Sequence, residues 1–125
     1  AHVLLANPKH ASRKKGAGTS GRGHRVAMLF TGQSRLRPGL GRELYAANTA
    51  FRAALDRCAT LCSDLNEGLL DILFGDTTSA ETCRTSFTAT FCIQYALVEA
   101  WRSWGVHPYA VLGHSLGEYA AAVAA

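Results

Sequence analysis

The sequence has no long apolar run, no recognisable signal peptide and only four cysteines. No apolar stretch reaches the roughly 18 residues that a membrane-spanning helix needs, so we expect a soluble protein without a membrane segment. Without a signal peptide, the cysteines are expected to be reduced thiols in the cytoplasm. Cys58 and Cys62 are one helical turn apart, but no second pair and no histidine lies at ligand spacing nearby. We therefore predict no metal site.

Acidic residues are absent from the first 25 positions, which contain six Lys and Arg side chains. The other 100 residues hold the remaining seven basic residues and all nine acidic ones, so the positive charge belongs to the start of the chain. Glycine, serine and threonine are interleaved with these charges, which predicts a flexible basic linker over residues 7–25. This segment has no aromatic residue, so we do not expect nucleic acid as a partner. Residues 1–6 have the pattern of a strand from a preceding domain.

Strand and helix patterns alternate from residue 26 onward. Val26–Phe30 is a continuous apolar run that predicts a central strand, and Tyr109–Leu112 predicts a second, buried one. Between them we expect a helix that begins near residue 42 or 43 and a longer buried helix over Phe87–Trp104. This order predicts a parallel α/β sheet. The stripe of the first helix expected to pack on the sheet consists of Leu44, Ala47, Phe51, Ala54, Leu55, Cys58, Leu61 and Cys62.

The most informative stretch is Gly-His-Ser-Leu-Gly at 113–117, which lies between the second predicted strand and an alanine-rich helix. A serine with glycine two residues before and two residues after it, at a strand-to-helix turn, is typical of a nucleophile elbow. We predict that Ser115 is the nucleophile and that the N–H of Leu116 forms half of an oxyanion hole. The predicted fold class is α/β, with a partial α/β-hydrolase-like parallel sheet truncated after the elbow helix.

Two neighbours of the serine could be mistaken for its catalytic partners. His114 directly precedes Ser115 and is expected to point to another side of the turn, so we interpret it as a wall residue of the substrate pocket. Glu118 lies in the first turn of the predicted helix, where an acid interacts favourably with the helix dipole. No histidine of this chain is therefore predicted to be the general base.

These residues resemble the acyltransferase domains of modular type I polyketide synthases, which are related to malonyl-CoA:acyl carrier protein transacylases. The resemblance covers residues 25–125, and residues 1–5 resemble the last strand of a ketosynthase domain. The stretches that carry it are Val26–Gln33, Gly39–Tyr45, Tyr95–Leu97, Trp101–Val106 and Gly113–Ala121.

The resemblance implies that Ser115 attacks the thioester of an acyl-CoA, and that the acyl group then passes to the phosphopantetheine thiol of an acyl carrier protein. It also implies that the backbone amides of Leu116 and Gln33 hold the oxyanion. Malonyl-CoA is the expected substrate, with no bound cofactor, and a ketosynthase domain is the expected neighbour. The side chain of Leu116 implies a preference for malonyl over methylmalonyl units. The family's histidine base and carboxylate-binding arginine fall beyond residue 125, so we expect the isolated chain to be inactive.

The sequence departs from the family pattern at two places. Ser34, Arg35 and Leu36 follow Gln33 where the family has Gly-Ser-Gln or Gly-Ala-Gln. Phe87 takes the position of a glutamine that lines the family's active site. Two alternatives stay open: a serine hydrolase or thioesterase with a similar core, and an inactive fragment or docking module.

Overall fold

The computed structural model describes residues 3–5, 25–33, 36–63, 68–75 and 87–125. The predicted basic linker therefore lies outside the described residues except for Arg25, as do Ser34, Arg35 and Ser86. Within the described part, no helix combines the length and the apolar character needed to cross a membrane. The elements are β1 (Val3–Leu5), β2 (Ala27–Phe30), α1 (Arg42–Ala47), α2 (Thr49–Leu61), α3 (Leu69–Phe74), α4 (Phe87–Ser103), β3 (Ala110–Gly113) and α5 (Gly117–Ala124).

The three strands form one sheet in the order β1-β3-β2. Strands β2 and β3 are parallel, with Ala27 opposite Ala110, as the sequence predicts. The sheet as a whole is mixed, because β1 pairs with β3 in the antiparallel direction. The assignment of residues 1–6 to a preceding domain stays a prediction.

The prediction that β2 is a central strand is wrong for the described part of the chain. Strand β3 has a neighbour on each side, whereas β2 has one described neighbour and lies at an edge. As a result the side chain of Leu29 is 72% exposed. Between β2 and α4 lies a cavity of about 620 Å³ that we call the edge groove; it is lined by Val26, Ala27, Met28, Leu29, Phe30, Thr31, Gln94, Leu97, Val98, Trp101 and Val106.

The helix predicted from residue 42 is divided into α1 and α2 at Asn48. The backbone of Asn48 is extended (φ −115°, ψ 115°), and its side chain accepts a hydrogen bond of 2.8 Å from the N–H of Phe51. A capping asparagine satisfies one of the free N–H groups at the start of α2, so the chain changes direction there. Leu61 was expected in the buried stripe but is 75% exposed, since it lies at the last position of α2.

Helix α4 lies between two hydrophobic clusters. The prediction that the α2 stripe packs on the sheet is wrong, because Phe51 and Leu55 of α2 pack in a cluster with α3 and one face of α4. Another face of α4, at Val98, packs in the cluster that β2, β3 and α5 form. The second cluster consists of Phe30, Val98, Val111, Ala120, Ala121 and Ala124. Burial of α4 on more than one face was predicted, although Phe87 and Trp101 are about half exposed.

Candidate active site

Ser115 lies at the turn between β3 and α5, with its backbone in the left-handed region at φ 53°. It is the only described residue other than glycine with a positive φ. The turn is closed by three backbone hydrogen bonds: His114 N–H to Phe30 O (3.1 Å), Gly117 N–H to His114 O (3.0 Å) and Glu118 N–H to Ser115 O (3.0 Å). A left-handed backbone at a residue with a side chain is unfavourable and is typical of functional sites. The turn leaves Ser115 exposed at the carboxyl end of the parallel strands.

The two glycines that flank the serine have no room for a side chain. A methyl group on Gly113 would lie 2.4 Å from the Cα of Glu118. A methyl group on Gly117 would lie 2.3 Å from the carbonyl oxygen of Phe30 and 2.6 Å from that of Thr31. Gly113 thus permits the tight turn itself, and Gly117 permits α5 to begin against the end of β2.

The loop that follows β2 lies against the serine turn. A methyl group on Gly32 would be 3.2 Å from both Nδ1 and the carbonyl oxygen of His114, and 3.3 Å from the Cβ of Ser115. The structure therefore brings the loop that carries Gln33 beside Ser115, at the edge where parallel sheets hold their ligands. The side chain of Gln33 is exposed.

Gln94 of α4 contacts this loop, and the sequence analysis did not single it out. Its Nε2 donates to the carbonyl oxygen of Thr31 at 2.8 Å and lies 3.3 Å from Thr31 Oγ1. The available signal was a single amide in an otherwise apolar part of the helix, between Ile93 and Ala96.

A cleft of about 780 Å³ opens beside the turn, and it is lined by Phe87, Ser115, Leu116, Glu118, Tyr119 and Ala122. It brings together Ser115 and Leu116 of the predicted site, and it places Phe87 at its wall. His114 is not among the lining residues, because its ring lies on the side of Gly32. No described residue accepts a hydrogen bond from the N–H of Leu116, which stands just before the first turn of α5.

The cleft contains one described carboxylate, that of Glu118, and no described histidine. None of the hydrogen bonds between described residues involves the hydroxyl of Ser115. No group of three or more His, Cys, Asp or Glu in the described ranges could hold a metal ion. Within this part of the chain, the cleft holds the Ser115 hydroxyl, the backbone of Leu116 and the Glu118 carboxylate.

Residues 27–125 match the family model described as the acyl transferase domain. The chain belongs to this family. It is 40% identical over 107 residues to orsellinic acid synthase ArmB of Armillaria mellea, a match that covers 81% of this chain and 5% of that protein. It is 42% identical over 98 residues to non-reducing polyketide synthase 1 of Elsinoe fawcettii, covering 78% of this chain and 4% of the synthase.

Solved acyltransferase domains have a similar fold. The acyl transferase domain of ZmaA has a TM-score of 0.71 and 30% identity, covering 85% of this chain and 26% of that one. The acyltransferase domain from the second module of the salinomycin polyketide synthase has a TM-score of 0.64 and 42% identity, covering 79% and 23%. The predicted resemblance to acyltransferase domains and the α/β fold class are confirmed. The chain spans about one-twentieth of the curated synthases and about a quarter of these solved domains.

Proposed function

We propose that this acyltransferase segment carries the nucleophile of a malonyl-type transacylase, and that the nucleophile is Ser115. The observation that carries the proposal is the left-handed backbone of this exposed serine between a parallel strand and α5. A nucleophile elbow in an α/β-hydrolase-like core requires this geometry, because the turn then presents Oγ to the substrate. Membership of the acyl transferase family supports the same assignment.

The oxyanion hole consists of the backbone N–H groups of Leu116 and Gln33. The N–H of Leu116 is adjacent to the nucleophile at the amino end of α5, where the helix dipole adds positive potential. Gln33 follows Gly32, which lies against the Cβ of Ser115. Each donor stabilises the oxyanion formed when the thioester carbonyl is attacked, and loss of one such donor costs about 10²- to 10³-fold in rate.

The substrate is malonyl-CoA, and the acceptor is the phosphopantetheine thiol of an acyl carrier protein. In the first half-reaction Ser115 Oγ bonds to the malonyl carbonyl carbon, the bond to the CoA sulfur breaks, and the serine proton leaves with the CoA thiol. In the second, the carrier thiol attacks the acyl-serine ester, its proton returns to Ser115, and the acyl thioester is released. No bound cofactor takes part, and a ketosynthase domain is the neighbour in the parent synthase.

The acyl pocket is bordered by Leu116, which lines the cleft beside Ser115, whereas the ring of His114 lies toward Gly32 and outside the lining of the cleft. No described histidine lies in the cleft with Ser115. General-base assistance contributes about 10²- to 10⁴-fold. The described residues alone are therefore expected to acylate slowly.

The decisive experiment is to incubate the chain with malonyl-CoA, with and without a carrier protein that bears phosphopantetheine, and to follow intact mass. We expect slow addition of one malonyl group to the wild type and none to Ser115→Ala. The control is Ser63→Ala, which removes an exposed serine that is distant from Ser115 in sequence. This variant should be labelled to the same extent as the wild type. Labelling that persists in Ser115→Ala would refute the assignment.

The fate of the acyl group separates transfer from hydrolysis. A transacylase delivers malonyl to the carrier thiol, whereas a serine hydrolase or thioesterase releases free malonate at the same rate with or without the carrier. Release to water alone would favour the hydrolase alternative. Rapid addition of one malonyl group per chain would show that acylation of Ser115 needs no general base beyond the residues present.

A further inference from the structure

The loop that carries Gln33 is tied to the rest of the domain by Gln94. Nε2 of Gln94 donates at 2.8 Å to the carbonyl oxygen of Thr31, the last residue before Gly32. Among the described residues this amide makes the side-chain hydrogen bond that joins α4 to the end of β2. The bond therefore crosses 63 positions of sequence to reach the candidate site.

The peptide that Gln94 contacts directly precedes the peptide whose orientation matters for the proposed oxyanion hole. A peptide unit is planar, so fixing the carbonyl of Thr31 also fixes the N–H of Gly32. The next peptide carries the N–H of Gln33. Gly32 has no Cβ and would otherwise leave this hinge with wide conformational freedom. An external donor on the Thr31 carbonyl fixes the first side of this hinge and so restricts the positions that the Gln33 N–H can take.

The other side of the same carbonyl is closed by α5. A methyl group on Gly117 would lie 2.6 Å from the oxygen of Thr31, so this oxygen lies between the start of α5 and the amide of Gln94. Gly32 in turn lies against His114 and Ser115. Gln94, Thr31 and Gly32 thus form a continuous set of contacts from α4 to the serine turn.

The position of Gln94 also shows why an amide there is unusual. Its neighbours in the edge groove include Leu97 and Val98, which are apolar. Its Oε1 is buried and has no hydrogen-bond partner among the described residues. A buried acceptor without a partner is unfavourable, and an aliphatic side chain would avoid this cost. The amide is therefore best explained by the bond that its Nε2 makes.

We propose that Gln94 is a positioning residue that holds the Thr31–Gln33 loop in the orientation required for the Gln33 N–H to face the oxyanion formed at Ser115. The effect of Gln94 on the reaction rate rests on the proposed function, whereas its positioning of the loop does not. Loss of the bond should lower the rate by about 10- to 100-fold, at or below the 10²- to 10³-fold effect of removing an oxyanion donor outright.

The test compares Gln94→Met, which keeps the length and loses the donor, with Gln94→Glu, whose carboxylate repels the Thr31 carbonyl. Arg102→Met is the matched control, because Arg102 joins α4 to the carbonyl of Ala124 in α5, away from the loop. In the ¹⁵N-labelled 125-residue chain we expect the heteronuclear NOE of the Gly32 and Gln33 amides to fall in both Gln94 variants only.

The second readout is the rate of Ser115 acylation as a function of malonyl-CoA concentration. We expect the maximum rate to fall 10- to 100-fold in the Gln94 variants with the half-saturating concentration changed less than about twofold, since the substrate contacts remain. The proposal would be overturned if the heteronuclear NOE of the Gly32 and Gln33 amides did not change in the Gln94 variants. A slower acylation rate without a change in this NOE would overturn it as well. If the wild type is never acylated at Ser115, the proposed function fails, and the amide measurement still decides the role of Gln94.

A measurement on the wild type keeps the proposal testable if the variants do not fold. The side-chain amide protons of Gln94 should exchange with solvent more slowly than those of Asn48, because the Nε2 contact of Gln94 is 2.8 Å long and the Nδ2 contact of Asn48 with Ser103 is 3.3 Å long. Equal exchange of the two side-chain amides would overturn the bond on which the inference depends.

Discussion

The Cα of Gly117 packs directly on the carbonyl of Phe30, so that a methyl group there would meet this oxygen at 2.3 Å. Both partners are backbone atoms, which cannot rotate away as a side chain can. The contact joins α5 to the carboxyl end of β2 and sets the distance between the serine turn and the Gln33 loop.

Gly117→Ala should therefore destabilise the fold and separate the two halves of the site. We expect a loss of about 1–3 kcal/mol in the free energy of unfolding, the usual range for overpacking, together with loss of Ser115 acylation. Gly68→Ala is the control, because its φ is −56° and the added methyl would meet only the Asp71 carboxylate, which can move. Urea unfolding monitored by circular dichroism measures both variants, and equal stabilities would contradict the steric argument.

Asn48→Ala should weaken the start of α2. The lost cap bond to the N–H of Phe51 is worth about 0.5–2 kcal/mol, and Phe51 is fully buried. Asn48→Asp retains an acceptor oxygen and should stay within about 0.5 kcal/mol of the wild type. A thermal melt that moves equally for both substitutions would show that the side-chain acceptor is not what matters.

Much of the site could be predicted from the sequence because its determinants are local. The turn at Ser115 needs glycine two residues before and two after it, and both glycines lie within one short stretch. The division at Asn48 could not be predicted from apolar spacing, because the stripe continues through it and only the cap bond to Phe51 shows the break. The edge position of β2 was also missed, since an apolar run does not show which strands pair with it. Gln94 was missed because its partner Thr31 is distant in sequence.

The buried thiol pair gives a pH prediction. The pKa of Cys92 is raised by its hydrogen bond to Cys58 and by burial, and the same bond lowers the pKa of Cys58. Above the ordinary thiol pKa of about 8.5, the unfolded chain releases a proton that folded Cys92 keeps, so stability present below this pH is lost as the pH rises. The lowered pKa of Cys58 acts in the opposite direction and offsets part of this loss while the unfolded thiol is still titrating.

Between pH 8.5 and 9.5 the loss from Cys92 should be about 1 kcal/mol, because the unfolded thiol is only half ionised at the start of this range and the full slope is about 1.4 kcal/mol per pH unit. Urea midpoints across this range measure the slope. Cys92→Ala should remove most of it, even though the variant is less stable at every pH because it leaves a small cavity. If the urea midpoint of Cys92→Ala falls with pH as steeply as that of the wild type, the pH dependence comes from other groups.

Leu116 allows a prediction of substrate selection. Its side chain lies at the wall of the cleft beside the nucleophile. Leu116→Gln should move the preference from malonyl toward methylmalonyl, by no more than about 1–3 kcal/mol, the usual value of one methylene in a pocket. Competition between equal amounts of the two CoA esters, read by mass at Ser115, measures the shift. Leu61→Gln, far from the cleft, is the control, and an unchanged ratio in Leu116→Gln would refute the role.

The edge groove should make the isolated chain associate. Leu29, on the edge of β2 that has no described neighbour, is 72% exposed, and Trp101, on the α4 side of the groove, is 47% exposed. An apolar surface at a strand edge is of the kind that mediates aggregation. We expect binding of the dye ANS and a mass that grows with concentration in light scattering. Leu29→Lys should reduce both, whereas Leu61→Lys, at an equally exposed leucine on α2, should not. A sharp cooperative melt of a monomer would contradict this expectation.

The position of β3 in the middle of the sheet determines when the domain can assemble during synthesis. Strands β1 and β2 precede β3 in the sequence, yet β3 is the described neighbour of both. Ala27 of β2, for example, can pair with Ala110 only after residue 110 has been synthesised. Closing so long a loop is slow compared with the formation of α1, α2 and α4, whose contacts are nearer in sequence. A nascent chain that has not yet released residue 113 from the ribosome therefore presents helices without a sheet. The strained serine turn, which depends on β3, is among the last parts of this segment to form.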